Sequence, residues 1–505
     1  MTVKGISESR PQLAARIKHT LLLAFVIFSL GACRNTDSST MAATPLSLAN
    51  APASGGVAAQ SSYADIVSRV APAVVTIHSE LRARAPQQFP FMDDPFFNQF
   101  FGERGGRAPQ QQPQRASAIG SGVIVSPDGY IITNHHVIDG ATQIKVDLSD
   151  SRTVDAKVVG SDAASDLAVL KVNASSLPVL NLGNSDNVRV GDVALAIGNP
   201  LGVGQTVTMG IISAKGRQTG LSNGSFEDFL QTDAPINQGN SGGALVNTNG
   251  ELIGINSQIL SRSGGSIGIG FAVPSNMARD VMEQLIKNGK VRRGQLGVGA
   301  QKVTSDIAAS LGLKDTRGVL VSQVQPGSAA ERAGIKQGDL ITSLGGSPVS
   351  DPNSFRNAVA RTQPGSPVQL TVMRGGKEQQ ISATLGEFTP EKSADGDQGD
   401  TGGSGNKAET TGKLGIGVQP LTPEIAQQLR LRNVTQGLVI GEVDPNSPAA
   451  DAGLQQGDVI VQVNQQPVRS VAELKAAIDR AGSRPALLLI NRRGTTVFVP
   501  VTPRQ

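Results

Sequence analysis

The sequence predicts a mainly β protein made of several domains, and three observations support this prediction. Its 505 residues exceed one ordinary domain, so two to four folding units are expected. Glycine is frequent, with 59 residues, whereas aromatic residues make up 3 % and tryptophan is absent. From Tyr63 onward, short apolar runs alternate with turns rich in Gly, Asn, Asp and Pro, which is typical of β-barrels and β-sandwiches.

The positions of the predicted strands follow from these apolar runs. Gly122–Val125 and Tyr130–Thr133 flank the turn sequence Ser126-Pro-Asp-Gly129, so they are expected to pair as a hairpin. Further strands are expected over Ile144–Leu148, Leu167–Val172, Val193–Ile197 and Leu252–Asn256. The first convincing helix is predicted from Ser275 to about Asn288, with Ser275 as its N-cap and Gly289 as its stop.

The N-terminal 33 residues have the features of an export signal. A basic stretch precedes the apolar run Leu21–Leu30, which is too short to span a bilayer. The run ends in Leu30-Gly-Ala-Cys33, which resembles the lipobox of bacterial lipoproteins, so Cys33 is predicted to be acylated. Ordinary signal cleavage after Ala32 is the alternative. Cys33 is the only cysteine, which excludes an intramolecular disulfide.

The charge of the chain argues against nucleic-acid binding. The net charge is +4, but four basic residues and one acidic residue precede Cys33. Removal of this segment lowers the net charge from +4 to +1 and leaves no basic stripe.

Two segments of unusual composition follow the export signal. Residues 34–62 are rich in Ser, Ala, Thr and Pro and are predicted to be a flexible tether. Residues between about 81 and 117 are rich in Gln, Pro and Arg and interrupt the early strands. This insertion is either a mostly disordered loop or a contact surface for a partner or another subunit. Its phenylalanines support the second alternative: Phe89, Phe91, Phe96, Phe97, Phe100 and Phe101.

An internal repeat covers the last third of the chain. Pro326–Asp339 recurs as Pro445–Asp458, and both copies carry an Ala-Gly-Ile/Leu segment that ends in Gln-Gly-Asp. Each copy opens with a Leu-Gly pair and carries a later helix, near Asn353–Ala360 and Val471–Ala481. The predicted repeats span residues 294–386 and 413–505, and residues 387–412 between them are predicted to be a mobile linker.

Gly239-Asn-Ser-Gly-Gly243 is the strongest single indication of chemistry in the sequence. A serine hydroxyl becomes an effective nucleophile when a neighbouring base takes its proton, and backbone N–H groups can stabilise the resulting oxyanion. The oxyanion hole is predicted in the segment Gly239, Asn240, Ser241, through the amides of Gly239 and Ser241. A Gly-Ser-rich tight turn without chemistry is the alternative.

The base for this serine can be sought among four histidines. His19 lies in the export signal, and His78 lies in an alternating strand where it is expected to be exposed. His135 and His136 remain, and because adjacent strand or turn residues point to opposite sides, one of them can face the serine. A metal site is the weaker alternative, because no Cys or carboxylate cluster accompanies the pair.

The third predicted member is a carboxylate that orients the imidazole. Asp166 starts a strongly apolar strand, which allows it to be partly buried beside a cation. A solvated turn aspartate is the alternative, as for Asp162 or Asp150. The order His136, Asp166, Ser241 resembles the His, Asp, Ser order of chymotrypsin-like proteases.

Several motifs together resemble the HtrA family of DegP/DegQ-type proteases. They are the Thr133–Val137, Ser165–Ala168, Ile197–Pro200, Gly239–Leu245 and Gly268–Pro274 segments. The resemblance selects His136, the residue directly before Val137, as the base. It implies a chymotrypsin-like double β-barrel over residues 63–290 with the active site between the barrels. It further implies ATP-independent cleavage of unfolded envelope proteins, trimers or multiples of trimers, and no cofactor or metal.

By the same resemblance, loops beside the serine rearrange to complete the site. These are roughly residues 234–238, 261–270 and 215–228, the last of which is the sensor loop. Ile269 and Phe271 are predicted to favour an aliphatic side chain before the cut. The Gly264–Gly270 stretch could instead suggest a nucleotide-phosphate loop, but its spacing is wrong and no lysine follows.

The two repeats resemble PDZ domains, which are small α/β barrels that add a peptide C-terminus as a strand to a sheet edge. The predicted capture loops are Gly294, Gln295, Leu296, Gly297 in the first repeat and Lys413–Gly415 in the second. One or both repeats could instead shape an assembly. The sequence therefore leaves two functions, an envelope endoprotease regulated by its repeats, or a PDZ-containing chaperone or adaptor with weak or latent protease activity.

Overall fold

The computed structural model describes residues 62–81, 116–199, 204–219, 226–237, 239–261, 265–389, 409–429, 431, 436–482 and 484–504. The predicted export signal with Cys33, the predicted tether up to residue 61 and the phenylalanine-rich insertion over 82–115 lie outside these ranges. Within them, no helix combines the length and apolar character that crossing a bilayer requires.

The described chain begins with helix α1 (Ala64–Val70) and a closed six-stranded barrel in the order β1-β2-β3-β6-β5-β4. The barrel strands are β1 (Val74–Leu81), β2 (Ala116–Ile124), β3 (Tyr130–Thr133), β4 (Ala141–Asp147), β5 (Thr153–Asp162) and β6 (Leu167–Val172). A short helix, α2 (His135–Ile138), lies between β3 and β4. Closure of the barrel pairs its strand edges. The predicted hairpin is present, since β2 pairs with β3 and the Gly129 amide donates to the Ser126 carbonyl at 3.1 Å.

A second closed barrel follows, in the order β10-β11-β12-β9-β8-β7. Its strands are β7 (Val193–Gly198), β8 (Thr206–Arg217), β9 (Phe229–Thr232), β10 (Ala244–Val246), β11 (Leu252–Ile259) and β12 (Gly270–Pro274). Strands β10 and β12 are buried along their whole length, as expected for strands that contact the core on both faces.

Helix α3 (Ser275–Asn288) has the predicted bounds and ends at Gly289, whose φ of 70° is the left-handed conformation common after helices. The prediction that Ser275 is the N-cap is wrong. The N-cap is Pro274, and the Ser275 hydroxyl donates to the Gly183 carbonyl at 2.7 Å. Val281 and Leu285 of the helix pack in the same apolar cluster as residues of both barrels, so the helix joins them.

The first repeat follows α3 directly and forms one sheet in the order β14-β15-β16-β18-β19, a two-stranded sheet β13-β20 and three helices. Its elements are β13 (Gly294–Gln295), β14 (Val298–Lys302), α4 (Ser305–Leu311), β15 (Val319–Val324), α5 (Ala329–Arg332), β16 (Leu340–Leu344), β17 (Ser347–Pro348), α6 (Pro352–Arg361), β18 (Pro367–Arg374), β19 (Lys377–Thr384) and β20 (Gly386–Glu387).

The second repeat forms a sheet in the order β21-β22-β23-β24-β26-β27. Its elements are β21 (Glu409–Thr411), β22 (Ile416–Pro420), α7 (Pro423–Gln428), β23 (Leu438–Val443), α8 (Pro448–Asp451), β24 (Val459–Val463), β25 (Gln466–Pro467), α9 (Val471–Ala481), β26 (Ala486–Arg492) and β27 (Thr495–Val501). The structure differs from the predicted linker over 387–412 at both ends, because Glu387 belongs to β20 and 409–411 form β21.

The recurring Gly-Asp motif places a carboxylate inside each repeat. Asp339 is 1 % exposed and binds the guanidinium of Arg374 at 2.6 Å, and Asp458 binds Arg492 in the same way at 2.6 Å. A buried carboxylate without such a partner would be strongly destabilising. The recurring motif therefore places the same internal ion pair in both copies.

The two repeats pack against each other through an apolar cluster. Leu320 and Leu340 of the first repeat are buried together with Leu487 and Phe498 of the second. The Gln301 side-chain amide also donates to the Phe498 carbonyl at 2.7 Å and accepts from its amide at 2.9 Å. The second repeat therefore contacts the first through an apolar surface with satisfied polar groups.

Candidate active site

The three predicted catalytic residues come from both barrels. His136 lies on α2 and Asp166 directly precedes β6, both in the first barrel, whereas Ser241 lies on the loop that leads into β10 of the second. The candidate site therefore lies between the barrels. The predicted strand or turn at His135 and His136 is the short helix α2.

Asp166 holds the imidazole of His136 through both carboxylate oxygens, each 2.9 Å from Nδ1. The His136 amide also donates to Asp166 Oδ1 at 3.1 Å. Asp166 has a φ of 53°, a left-handed conformation that is uncommon outside glycine. The Asn134 side chain donates to its carbonyl at 2.9 Å and stabilises this backbone. The pair is thus fixed by main-chain and side-chain contacts together.

The electrostatics of this pair favour a charged imidazole. Burial favours the neutral form, but the attraction of the Asp166 carboxylate and its hydrogen bond outweigh burial and raise the pKa of His136. Burial likewise acts to raise the pKa of Asp166, yet His136 and the Ser257 hydroxyl hold it below its ordinary value. Asp166 therefore stays ionised and can stabilise a cationic His136.

The other histidines have different partners. His135 Nε2 lies 3.9 Å from Oδ1 of Asp139, the residue that follows its helix, and His78 binds Asp147 of the neighbouring strand β4 at 2.7 Å. His19 lies outside the described residues. Of the two neighbours that sequence reasoning left open, the structure brings His136 to Asp166.

The loop that carries Ser241 packs against strands of both barrels at points where a side chain would not fit. A β-carbon on Gly242, whose φ is 81°, would lie 2.1 Å from the Ser121 carbonyl oxygen, and one on Gly243 would lie 2.2 Å from that of Ile197. The Ser121 amide donates to the Ser241 carbonyl at 2.8 Å, and its hydroxyl donates to the Gly239 carbonyl at 2.6 Å. Close backbone packing therefore requires glycine at positions 242 and 243.

Ser257 links the three predicted residues and was not predicted. Its hydroxyl donates to Asp166 Oδ2 at 2.8 Å, and its carbonyl accepts from the Ser241 hydroxyl at 3.0 Å. Ser257 is 2 % exposed and lies on β11, which is otherwise mostly apolar. A buried polar pair, Asn256 and Ser257, in such a run was the sequence signal that could have identified it.

The three backbone amides of the predicted oxyanion segment, Gly239 to Ser241, differ in their hydrogen-bond partners. The Asn240 amide donates to the Asn237 carbonyl at 3.0 Å, so in this arrangement it is occupied. Among the described residues, no acceptor is recorded for the amides of Gly239 and Ser241. The role of these two amides as an oxyanion hole stays a prediction.

The two predicted pocket residues have different environments. Phe271 is 5 % exposed, belongs to the core and packs on Phe229 with a centroid distance of 5.8 Å. Ile269 is half-buried against the same core, and its carbonyl accepts from the Leu260 amide at 3.1 Å. A preference for aliphatic side chains stays a prediction.

The predicted capture loop of the first repeat lines a cavity of about 360 Å³. Gly294 and Gln295 pair with β20, Leu296 is buried, and Gly297 has a φ of 80°. The same cavity is lined by groups from β14, helix α6 and the protease side: Val298, Ala300, Phe355, Arg356, Val359, Gln218 and Phe226. A ligand in the groove of the first repeat would therefore also contact the segment before β9.

Buried polar contacts join this segment to helix α6. The Glu227 carbonyl accepts from the side-chain amides of Asn353 at 2.9 Å and Asn357 at 2.7 Å. Arg361 on the same helix binds Asp228 at 2.5 Å. Burial raises the pKa of Asp228, although the charge of Arg361 opposes it. Sequence reasoning missed these residues, because their roles depend on a contact between elements more than a hundred residues apart.

A second ion pair joins the first repeat to the first barrel. Arg293 binds both oxygens of Asp162 at 2.8 and 2.5 Å, and both side chains are about nine-tenths buried. Burial acts to raise the pKa of Asp162, but Arg293 outweighs it and lowers the pKa. The Arg293 guanidinium also lies 4.6 Å from the centroid of the Phe226 ring. The first repeat is thus attached to both barrels.

Within the described ranges, no group of three or more His, Cys, Asp or Glu side chains is arranged to hold a metal ion.

Two closed barrels with a Ser, a His and an Asp between them are the architecture of a trypsin-like serine endopeptidase. Family models agree: a trypsin-like peptidase domain matches residues 120–255, and PDZ domains match residues 294–385 and 439–492. The prediction of a double β-barrel endopeptidase followed by two PDZ domains is therefore confirmed.

Similar proteins identify the family more closely. The periplasmic serine endoprotease DegP of Escherichia coli (strain K12) is 40 % identical over 508 residues, covering 95 % of this chain and 99 % of that protein. A probable periplasmic DegP-like endoprotease of Chlamydia trachomatis is 44 % identical over 411 residues, covering 81 % and 80 %. The solved HtrA-type protease AlgW with tripeptide is 46 % identical with a TM-score of 0.54, covering 66 % of this chain and 99 % of that one.

These similarities extend over most of the chain. This chain belongs to the HtrA-type family of serine endoproteases that includes DegP and DegQ. Its relatives are named periplasmic, which supports a periplasmic location for this chain.

Proposed function

We propose that this endopeptidase degrades unfolded or misfolded proteins of the bacterial cell envelope without a nucleotide, and that peptides bound to its PDZ domains regulate it. The observation that carries the proposal is the contact between both Asp166 oxygens and His136 Nδ1, together with Ser257, which links Asp166 to Ser241. This contact provides a base that can activate a serine. The role of the PDZ domains rests on the cavity that the first one shares with the protease.

In the proposed mechanism, Ser241 is the nucleophile and His136 is the general base. The Ser241 hydroxyl turns from the Ser257 carbonyl and transfers its proton to Nε2, because Asp166 binds Nδ1. The oxygen then attacks the carbonyl carbon of the substrate peptide bond. Asp166 stabilises the imidazolium that forms. His136 then gives the proton to the amine nitrogen as the C–N bond breaks, which leaves the acyl group as an ester on Ser241. A water molecule gives a proton to His136 and attacks the ester carbon. The bond to the Ser241 oxygen breaks, and His136 returns the proton to that oxygen.

The tetrahedral intermediate carries a negative oxygen, which the amides of Gly239 and Ser241 are proposed to stabilise. Removing one such donor from a serine protease costs about 10²–10³ in rate. The Ser121 contacts to the carbonyls of Gly239 and Ser241 hold the intervening peptide groups in place. Ser121 is therefore proposed as a positioning residue of the oxyanion hole.

Regulation is proposed to act through the first PDZ domain. The HtrA-type protease AlgW has been solved with a tripeptide and with a decapeptide. In this chain, a peptide that enters the groove of the first repeat would reach Gln218 and Phe226. Glu227 and Asp228, which follow Phe226, bind helix α6. Occupation of the groove can therefore bias the loops that precede β9 toward the active arrangement.

The location and assembly of the enzyme are also proposed. Cys33 is proposed to carry lipid and to anchor the enzyme at a membrane facing the periplasm. Self-association into trimers or their multiples is proposed from the family resemblance. Changing Cys33 to Ala should release the protein or block its processing, whereas high salt should not release the wild type. Recovery of unmodified, freely soluble wild type would support ordinary signal cleavage instead.

The proposed function is tested by cleavage of casein or a reduced, unfolded protein. Wild type should cleave, and Ser241→Ala should lose about 10⁴-fold or more in activity, because the nucleophile is removed. Ser241→Ala should retain its thermal unfolding midpoint. Equal cleavage by both proteins would contradict the assignment of Ser241.

A second candidate function is a PDZ-containing chaperone or adaptor with latent protease activity. The hydrogen bond from the Ser241 hydroxyl to the Ser257 carbonyl favours it, because a hydroxyl has one proton and here donates it away from His136. Suppression of aggregation by wild type without any cleavage, with or without added peptides, would establish this function over the first.

A further inference from the structure

The grooves of the two repeats differ at one sheet edge. In the first repeat, β14 is the terminal strand of its sheet, and among the described residues no strand pairs with its outer edge. In the second repeat, β22 has an additional neighbour, β21, on the corresponding side. The second sheet therefore contains one strand that the first does not.

The two edges occupy equivalent positions. Gly297 precedes β14 and Gly415 precedes β22, with φ values of 80° and 72°. A β-carbon would lie 2.3 Å from the Ser328 Cβ in the first repeat and 2.2 Å from the Ser447 Cβ in the second. The carbonyl of each glycine also accepts an amide at 2.9 Å. The extra strand is therefore a real difference between equivalent edges.

Strand β21 runs antiparallel to β22, with Glu409 opposite Val418 and Thr411 opposite Ile416. Its C-terminal end thus lies at the start of β22, beside the predicted capture loop Lys413–Gly415. A C-terminal peptide bound to a PDZ domain adds to the same edge, antiparallel, with its terminus at this loop. The backbone of 409–411 consequently lies on the edge, and runs in the direction, that a bound peptide would use.

Contacts with the helix place β21 inside the groove. Helix α9 is the counterpart of α6, which lines the cavity of the first repeat. Helix α9 contacts both β21 and β22. The Lys413 ammonium also binds Asp479 of this helix at 2.7 Å. Strand β21 therefore lies where a peptide would pack between sheet and helix.

We propose that Glu409–Thr411 is a built-in ligand of the second PDZ domain, so that this groove is closed to peptides while the groove of the first repeat is open. The proposal refines the peptide-binding role proposed above and does not depend on proteolysis. Four residues separate β21 from β22, so the segment stays close to the edge at all times. A tethered ligand of this kind acts at an effective concentration on the order of millimolar.

A peptide from solution must first displace the tethered strand. If the groove is open in a tenth of the molecules or fewer, the apparent affinity for peptide falls by about tenfold or more. The second domain would therefore bind only peptides with a much higher affinity for the edge than 409–411 have. Weaker peptides would bind only after 409–411 have been pulled away from the edge.

The test compares two deletions of equal length in the full Ser241→Ala chain. Deletion of residues 403–411 removes β21, whereas deletion of residues 394–402 keeps it. The probe is the synthetic nonapeptide Gly-Ser-Gly-Asn-Lys-Ala-Glu-Thr-Thr, which has the sequence of residues 403–411 and a free carboxylate. Hydrogen exchange of the amides in Ile416–Val418 reports on the edge, and exchange in β26 reports whether the second repeat stays folded.

We expect exchange at Ile416–Val418 to be about tenfold faster after deletion of 403–411 and unchanged after deletion of 394–402. Added nonapeptide should restore protection in the first deletion and have no effect in the second. Thr410→Pro, which keeps the chain length and removes one backbone donor, should act like the first deletion. Its exchange in β26 should stay that of the intact chain.

Equal exchange at Ile416–Val418 in all variants would overturn the proposal, because β21 would then not protect the edge. Faster exchange without recovery on adding the nonapeptide would also overturn it, because the segment would not act as a ligand. Neither result depends on whether peptides activate cleavage. The proposed regulation is tested by a different measurement, peptide-stimulated cleavage, so the two proposals can fail independently.

Discussion

The two PDZ domains share one fold but have different surroundings. The first is attached to the barrels by the Arg293–Asp162 and Arg361–Asp228 ion pairs, and its open groove shares a cavity with Phe226. The second contacts the first repeat through an apolar cluster, and its groove edge is paired with residues 409–411. The two copies of one fold thus differ in what contacts the edge of each groove.

The largest effect on cleavage is expected from removal of the proposed base. His136→Ala should lower kcat/KM for peptide cleavage by about 10³–10⁴-fold or more, because the base that Asp166 orients is lost. Neither repeat should compensate for this loss. Rates are measured with a chromogenic peptide under saturating and subsaturating substrate.

The matched control is the neighbouring residue. His135 lies beside Asp139 and makes no recorded contact with Asp166 among the described residues, so His135→Ala should change the rate only a few-fold. If His135→Ala were the inactive variant, the assignment of His136 as base would be wrong.

Truncation should separate the two repeats next. Binding of a C-terminal peptide to the first repeat should raise cleavage by roughly 5–150-fold, the range of typical coupling energies. Deletion of residues 413–505 should keep this response, although it exposes Leu320 and Leu340 and can alter assembly. Deletion from residue 294 onward should abolish it. Cleavage is measured with and without the peptide in both proteins.

If the peptide still raised cleavage after deletion from residue 294 onward, neither repeat would be needed for activation. The switch would then lie within the barrels, and the first repeat would serve only to tether substrates.

A smaller effect is expected from one ion pair in each repeat. Arg361→Gln removes the contact with Asp228, so activation by peptide should fall by about 2- to 30-fold. Lys413→Gln removes the exposed pair with Asp479 in the second repeat and should leave activation unchanged. The measured quantity is the ratio of rates with and without peptide. Equal losses in the two variants would show that the Asp228 contact carries no coupling.

The smallest effect is a shift in the pH dependence of cleavage. Cleavage needs neutral His136, so kcat/KM is full above the pKa of His136 and is lost as pH falls through it. Because Asp166 raises that pKa, the midpoint should lie above the ordinary histidine value of 6.5. In Asp166→Asn, burial dominates, and the midpoint of the residual activity should move to lower pH. A midpoint that does not move would contradict the assigned cause.

Much of the fold could be predicted because its determinants are local. The Ser126–Gly129 turn, the stop at Gly289 and the apolar run before Ile197 each depend on neighbouring residues, and all are present. Strand β21 was missed, because 409–411 have the composition of a linker and become a strand only by pairing with β22.

The candidate site could be predicted in part. The Gly239–Gly243 motif indicates its own chemistry, and the order of residues, with the family resemblance, selects Asp166 and His136. Ser257 and Glu227 could not be found in this way, because their partners lie far away in sequence and are reached only after both barrels close. Local pattern thus identified the predicted Ser, His and Asp, but not the groups that become their neighbours only in the folded structure.

The central claim is that peptides control the protease through the first groove and not through the second. Gly297→Ala and Gly415→Ala test it directly, since each adds a β-carbon that would meet the equivalent serine Cβ at 2.3 or 2.2 Å. Peptide-stimulated cleavage is measured for both full-length variants, with thermal unfolding as the control for folding. We predict that Gly297→Ala loses the roughly 5–150-fold stimulation while Gly415→Ala keeps it. Loss of stimulation in Gly415→Ala, with the response of Gly297→Ala intact, would contradict the account.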